Sequence, residues 1–327
     1  MPSILGMRVG PIAFGMMHLT FPRKPVEQCF LAMRAALDSG CNFWNAGTFY
    51  GTPEWNSITL LQEYFKKYPE DADKVVLSVK ACYDPQSRRP YGSPELVKKD
   101  LDYILGQLKG IKSIEVFECA RVDPDVPVET TLKFIDEEYV KKGLVGGIAL
   151  SEVSATTIRR AAKVTKIVAV ENELSLWTTN ALENGVLEAC SELGIILLAY
   201  SPIGKGMLSG EIKTLDDLDQ DDVRRLFPRF YPENFAVNIQ LVEQARGLAD
   251  KKGCTPAQFA INWVRSLSSK PGMPEIIPLP GSTKASRVEE NATVCDLTPD
   301  ELAAVDAILA KFTTAGARYP AGIPTEV

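Results

Sequence analysis

Two kinds of apolar run alternate along the chain. Short β-branched runs such as Val75-Val76-Leu77-Ser78-Val79-Lys80, Val145 to Ser151 and Ile195 to Tyr200 read as strands. Between them lie longer segments with helical spacing, as in Val26 to Ser39, where Phe30, Met33, Ala36 and Leu37 recur and Gly40 stops the run. Start signals sharpen several of the helices. Ser93-Pro94-Glu95, Ser154, Thr255-Pro256 and Thr298-Pro299-Asp300-Glu301 each combine a capping side chain with early prolines or acids, or supply the cap alone. The predicted strands are 12–16, 42–45, 75–80, 114–120, 145–151, 167–172, 195–200 and 275–278, each followed by a helix.

Strict strand–helix alternation with no hairpin turn between strands predicts a parallel sheet. Eight such units predict a closed (β/α)8 TIM barrel, an α/β fold whose site lies at the C-terminal ends of the strands. The rival, a doubly wound open sheet, requires a glycine-rich phosphate turn just after the first strand. Gly10-Pro-Ile-Ala-Phe-Gly15 lies within or before that strand, and Gly204-Lys-Gly206-Met-Leu-Ser-Gly210 has the wrong spacing. The barrel is therefore the expected fold, as one domain over 1–327. Segments 3–6 and 7–10 are expected to pair as an N-terminal β-hairpin, and the segment from Thr298 to Phe312 is an extra C-terminal helix. Residues 204–240 read as an acidic, irregular insertion, and the last stretch of chain as a tail.

Strand alternation then sorts faces. Val76, Ser78 and Lys80 share the inner face of the third strand. The same rule places Asn45, Lys80, Glu118, Ser151, Glu171 and Tyr200 together at one rim of the barrel. Tyr50, on the loop after the second strand, joins Lys80 as a candidate proton-transfer pair: an ammonium within hydrogen-bonding range lowers a phenol's pKa and aligns its proton.

Composition narrows the chemistry. A net charge of −6 argues against non-specific nucleic-acid or anionic-membrane binding. The seven cysteines are scattered without a Cys-x-x-Cys pair, so they read as reduced thiols, and the single histidine, His18, excludes a multi-histidine metal site. The N-terminus shows no signal-peptide pattern, and no apolar run is long enough to span a bilayer, so a cytoplasmic protein is expected.

The motifs Trp44-Asn-Ala-Gly-Thr-Phe-Tyr50-Gly51, Ala120-Arg-Val-Asp-Pro124, Leu150-Ser-Glu-Val-Ser154, Tyr200-Ser-Pro202 and Pro280-Gly-Ser-Thr-Lys284, with the Lys80 strand and Glu290-Asn291, keep their order over about residues 5–315. In this order they resemble the aldo-keto reductases, and within them the fungal pyridoxal reductase branch. The resemblance implies hydride transfer from NADPH to an aldehyde, with no metal, and pyridoxal as first choice of substrate. Tyr50 matches the family's proton-donating tyrosine and Lys80 its lysine. The family's aspartate is replaced by Asn45, expected to accept a proton from Lys80 and orient it. The family's histidine is replaced by Ala120, which offers no donor, so that Glu118 or a water would have to substitute.

For the cofactor, the resemblance implies that Ser151 and Glu171 bracket the nicotinamide amide and that Tyr200 stacks on its ring. Ser201, Pro202, Gly204, Lys205, Gly206 and Leu208 would run along the pyrophosphate. Ser282, Thr283, Lys284 and Arg287 would hold the adenosine 2′-phosphate, and Glu290 and Asn291 the adenine. Glu152 and Glu171 depart from the family's usual Asn and Gln. Trp44, Tyr83, Trp177 and the 204–240 segment are expected to shape an apolar pocket. Two other readings stay open: a reductase of other aldehydes or xenobiotics, and a cofactor-binding regulatory subunit of the kind found on potassium channels. The sequence leaves the oligomeric state undetermined.

Overall fold

A computed structural model describes residues 1–326. Eight strands form one sheet: β1 (Phe14–Gly15), β2 (Phe43–Gly47), β3 (Val76–Ala81), β4 (Ile114–Cys119), β5 (Val145–Ser151), β6 (Ile167–Glu173), β7 (Ile196–Tyr200) and β8 (Ile276–Leu279). They lie side by side in sequence order, and every neighbouring pair is parallel. The sheet closes where a parallel bridge joins Gly15 to Gly281 and Gly15 N–H donates to Pro280 O at 2.9 Å. A Cβ at Gly281 would stand 2.8 Å from the Gly15 carbonyl oxygen, so the seam needs glycine.

The strands are buried on both faces, as continuous β-branched runs require. Inward residues Phe43, Val76, Val116, Val168 and Leu198 fill the lower barrel, and outward residues Trp44, Leu77, Val79, Phe117 and Ile148 pack under the helices. The N-terminal hairpin, Ser3–Ile4 on Met7–Arg8, forms as expected, and Ile4 and Val9 join the inner cluster. Polar side chains are left for the upper end, where the strands finish.

The expected caps are present. Ser93 accepts from Leu96 N–H, Ser154 from Thr157 N–H, Thr255 from Gln258 N–H and Thr298 from Glu301 N–H. Three features differ from the sequence reading. The irregular segment ends earlier than 240, because Tyr231-Pro232-Glu233 starts a helix that runs Pro232–Lys252, with proline in its first turn. A small hairpin, Tyr83–Asp84 on Arg89–Pro90, rises from the loop after β3. The chain beyond the last helix, Pro299–Leu309, is folded against the barrel: Asn238 holds Ala315 through two hydrogen bonds, and Ser154 N–H donates to Glu326. Among the described residues no helix is long and apolar enough to cross a membrane, and no cluster of residues is suited to a metal.

Candidate active site

The strand ends deliver a buried network built on one ammonium and two carboxylates. Lys80 from β3 has its Nζ 3.3 Å from the Tyr50 hydroxyl. The same Nζ donates to Glu171 Oε1 from β6 and stands 3.3 Å from Glu118 Oε1 from β4. Two glutamates from strands on either side of β5 meet across small residues of that strand: Ala149 is in register with Glu118, and Ser151 with Glu171. Asn45 from β2 binds the pair together: its Nδ2 donates to Glu118 Oε2 at 2.8 Å and to Glu171 Oε2 at 2.9 Å. Ser78 adds a longer bond to Glu118 Oε2.

This geometry changes the role expected of Asn45. Its amide hydrogens go to the two carboxylates, and Lys80 is held by those carboxylates, so Asn45 reaches Lys80 only through them. It also changes the field at Tyr50. Burial raises the phenol's pKa, the Lys80 ammonium opposes this, and Glu171 and Glu118 cancel part of that opposition. Burial pushes the Glu118 carboxyl up to about 8, with the Glu171 charge adding to the effect and Lys80 working against it. Lys80 is pushed the other way: burial lowers its pKa, but Glu118 and Glu171 together outweigh it and hold the ammonium charged.

A second network lies above the first, and the end of the chain completes it. Arg318 donates to Glu152 and lies 3.2 Å from Glu173, both fully buried carboxylates. Glu173 is also held by Lys205 Nζ at 2.7 Å and by the Thr178 hydroxyl, and its pKa is lowered: burial alone would raise it, but Lys205, Arg318 and Arg229 together prevail. Tyr200 donates to Glu152 and shares a 2.5 Å hydrogen bond with the Tyr319 hydroxyl. Arg121, just past Ala120, donates to the carbonyls of Ala120 and Pro324 and lies 3.5 Å from the Ser151 hydroxyl.

An eight-stranded parallel barrel with a tyrosine and a lysine paired at its mouth invites comparison with known proteins. Residues 11–310 match the model of the aldo/keto reductase family. The chain belongs to that family. It is 40% identical to a probable pyridoxal reductase 2 of Schizosaccharomyces pombe, over 98% of this chain and 97% of that protein. It is 32% identical to a putative pyridoxal reductase of Saccharomyces cerevisiae, over 94% of each. Its fold matches that of a glycerol dehydrogenase from Gluconobacter oxydans with a TM-score of 0.83, at 20% identity and 96% coverage of both chains.

Most of the residues expected at the cofactor lie on the loop after β7 and on the turn and helix after β8. Ser201, Gly204, Lys205 and Gly206 all take left-handed backbone angles, giving a tightly turned loop directly after β7. The N–H groups of Gly204, Gly206 and Leu208 are used inside that turn, and the Leu208 side chain is buried in the core. At the far end Ser282, Thr283 and Lys284 precede the helix Ala285–Ala292, and Ser282 Oγ accepts from Lys284 N–H. Gln28 anchors this turn by donating to Thr283 O at 2.8 Å. Arg287 is bridged at 2.6 Å to Glu211, so the loop after β7 is tied to the helix Ala285–Ala292. Asn291 is buried and Glu290 partly so. A cluster of hydroxyls, one lysine and one arginine at a helix N-terminus fits a nucleotide phosphate.

All six rim residues expected from strand alternation are at the mouth, four of them in the lower network. Glu171, expected at the nicotinamide amide, instead spends its two oxygens on Lys80 and Asn45. Trp44 is not a pocket residue: it faces outward and packs on Tyr64 and Phe65. His18 lies exposed on the short helix Met17–Thr20. Glu173, Arg318, Tyr319 and Glu211, the partner of Arg287, escaped the sequence reading. The only trace of the tail's role was an Arg-Tyr-Pro triplet in an otherwise featureless end.

Proposed function

We propose that the chain reduces an aldehyde to an alcohol with NADPH, and that pyridoxal, going to pyridoxine, is its substrate. The observation that carries the reading is the Tyr50 hydroxyl 3.3 Å from the Lys80 ammonium at the barrel mouth. When bound, NADPH supplies the hydride. Ser151 and Tyr200 would hold its nicotinamide end, the 201–208 loop its pyrophosphate, and Ser282, Thr283, Lys284 and Arg287 its 2′-phosphate, with Glu290 and Asn291 at the adenine. Tyr50 gives the carbonyl oxygen its proton, and Lys80 aligns that proton. Ala120 leaves the carbonyl without a second side-chain donor at that position.

The choice of pyridoxal is supported by the names of the two fungal relatives. The free aldehyde is preferred to its phosphate ester. Lys80 is compensated by Glu118 and Glu171, and Lys205 and Arg318 are paired with Glu173 and Glu152. No phosphate site is thereby left at the mouth from these groups. The lack of a donor at Ala120 favours, as second reading, a protein that binds NADPH without turnover. Initial rates with pyridoxal, pyridoxal phosphate and simple aldehydes, on the parent and on Tyr50→Phe, decide between them. The substitution keeps the ring and removes the proton, so turnover falls at least about 100-fold while NADPH affinity is unchanged. Tight NADPH binding by a parent that turns over no aldehyde establishes the second reading.

A further inference from the structure

The family's lysine is expected to face an aspartate on β2, and here that position holds Asn45. The negative charge has not been lost from the site. Two carboxylates reach Lys80 from the opposite wall, and their charges together exceed that of the ammonium. Both are almost completely shielded from water, Glu118 at 0% and Glu171 at 3% exposure. The titratable groups facing Glu118 are Lys80 from β3, Glu171 from β6 and Tyr50 from the loop after β2; uncharged Asn45 and Ser78 complete the shell. A buried set of one ammonium and two carboxylates is neutral only if one carboxyl keeps its proton. The position of that proton is marked by hydrogen bonding. Glu171 has both oxygens engaged by donors, and Glu118 has Oε2 engaged by donors. Glu118 Oε1 lies 3.3 Å from Lys80 Nζ yet makes no hydrogen bond among the described residues.

We infer that Glu118 and Glu171 form a proton-sharing carboxyl pair that has taken over the counter-ion role of the missing aspartate, with Asn45 as the donor that clamps the pair, and that Glu118 returns a proton to Tyr50 through Lys80. The relay rests on the reductase reading; the shared proton does not. The step is a sequence of proton transfers. The Tyr50 O–H bond breaks as the reduced carbonyl oxygen takes the proton. The phenolate takes a proton from Lys80 Nζ, the neutral amine takes the carboxyl proton of Glu118, and water reprotonates the pair before the next turnover. No electrons move in it. Glu118, Glu171 and Asn45 are positioning residues, acting on the reaction only through Lys80 and Tyr50. Asn45 follows from this logic: a carboxylate at position 45 would face two others at hydrogen-bonding distance, whereas an amide offers each of them a hydrogen.

The test is the pH dependence of turnover in four variants, together with infrared detection of a protonated buried carboxyl. In the parent, kcat falls as pH rises through the region near 8 where Glu118 loses its proton. Glu118→Gln is slower by at least about tenfold and loses that basic limb. Glu171→Gln removes the charge that holds the proton on Glu118, so the limb moves to lower pH. Asn45→Asp adds a third carboxyl, moves the limb to higher pH and lowers turnover, and Asn45→Asp/Glu171→Gln recovers most of the loss. A merely structural role would change stability or KM and leave the limb where it was; an unmoved limb in all four variants overturns the relay. The infrared band of a protonated carboxyl at neutral pH in the parent, absent in Glu118→Gln, supports the shared proton whether or not the protein reduces aldehydes. Its absence in the parent overturns the pair. A parent that carries the band but reduces no aldehyde refutes the reductase reading and the relay, and leaves the pair standing.

Discussion

Replacing Glu118 by glutamine should change the pH dependence of stability in a direction fixed by the site. The glutamate's ordinary value is 4.5, and in the folded protein it is pushed up to about 8, chiefly by burial. Between those two values the folded chain binds more protons at this group than the unfolded chain. Stability therefore falls as pH rises across the window and levels off above it. At about 1.4 kcal/mol per pH unit, the full window corresponds to about 5 kcal/mol, and relaxation of the buried pair lowers the expected effect to about 2–5 kcal/mol. Glutamine cannot titrate, yet its carbonyl can still accept the Asn45 hydrogen bond, so the variant keeps that contact while it loses the linkage. Urea unfolding of parent and variant at half-unit intervals from pH 5 to 9 measures it. The parent should lose ground steadily against Glu118→Gln up to about pH 8 and then run parallel to it. A difference that stays constant across the window would mean that Glu118 is ionised throughout, as a simple partner of Lys80, and would refute the reasoning.

Three further outcomes follow from the same geometry. Arg287→Ala should weaken NADPH by about 1–2 kcal/mol and barely affect NADH in fluorescence titrations; the value sits at the low end for a charged hydrogen bond because Glu211 already holds the side chain. Arg318→Met should lower unfolding free energy by about 2–4 kcal/mol at neutral pH, since it strips a cation from two buried carboxylates of which Glu173 keeps Lys205; an unchanged denaturation midpoint would show that the tail contributes no net stability. Pyridoxal should be turned over faster than pyridoxal phosphate in matched initial-rate assays, and the reverse order would identify a phosphate site at the mouth.

The barrel was legible because its signals are local. Ser154 and Thr298 cap helices within three residues of their partners, and the alternation that turns Lys80 inward turns Leu77 and Val79 outward with no knowledge of the rest of the chain. The same rule, applied to β2, would have sent Trp44 outward as soon as Asn45 was taken as inward. The site was legible as a set of residues but not as a wiring diagram. Whether Asn45 serves Lys80 or the carboxylates depends on how far Glu118 and Glu171 reach across the small residues Ala149 and Ser151, which no spacing within one strand encodes. The upper network was the least accessible of all, since Arg318 meets Glu152 across 166 positions of sequence.

The seam between Gly15 and Gly281 has a bearing on how the chain reaches this structure. β1 and β8 lie at opposite ends of the sequence, so a chain that has organised β2 to β7 still presents unpaired strand edges. Exposed edges are templates for pairing with another molecule, and parallel sheets built from distant segments form slowly. The shortness of β1 is protective during this interval. Two residues, one of them glycine, offer a neighbouring molecule almost nothing to extend. Lengthening that strand with β-branched residues would be expected to aid the finished barrel little and to favour aggregation before the seam has formed.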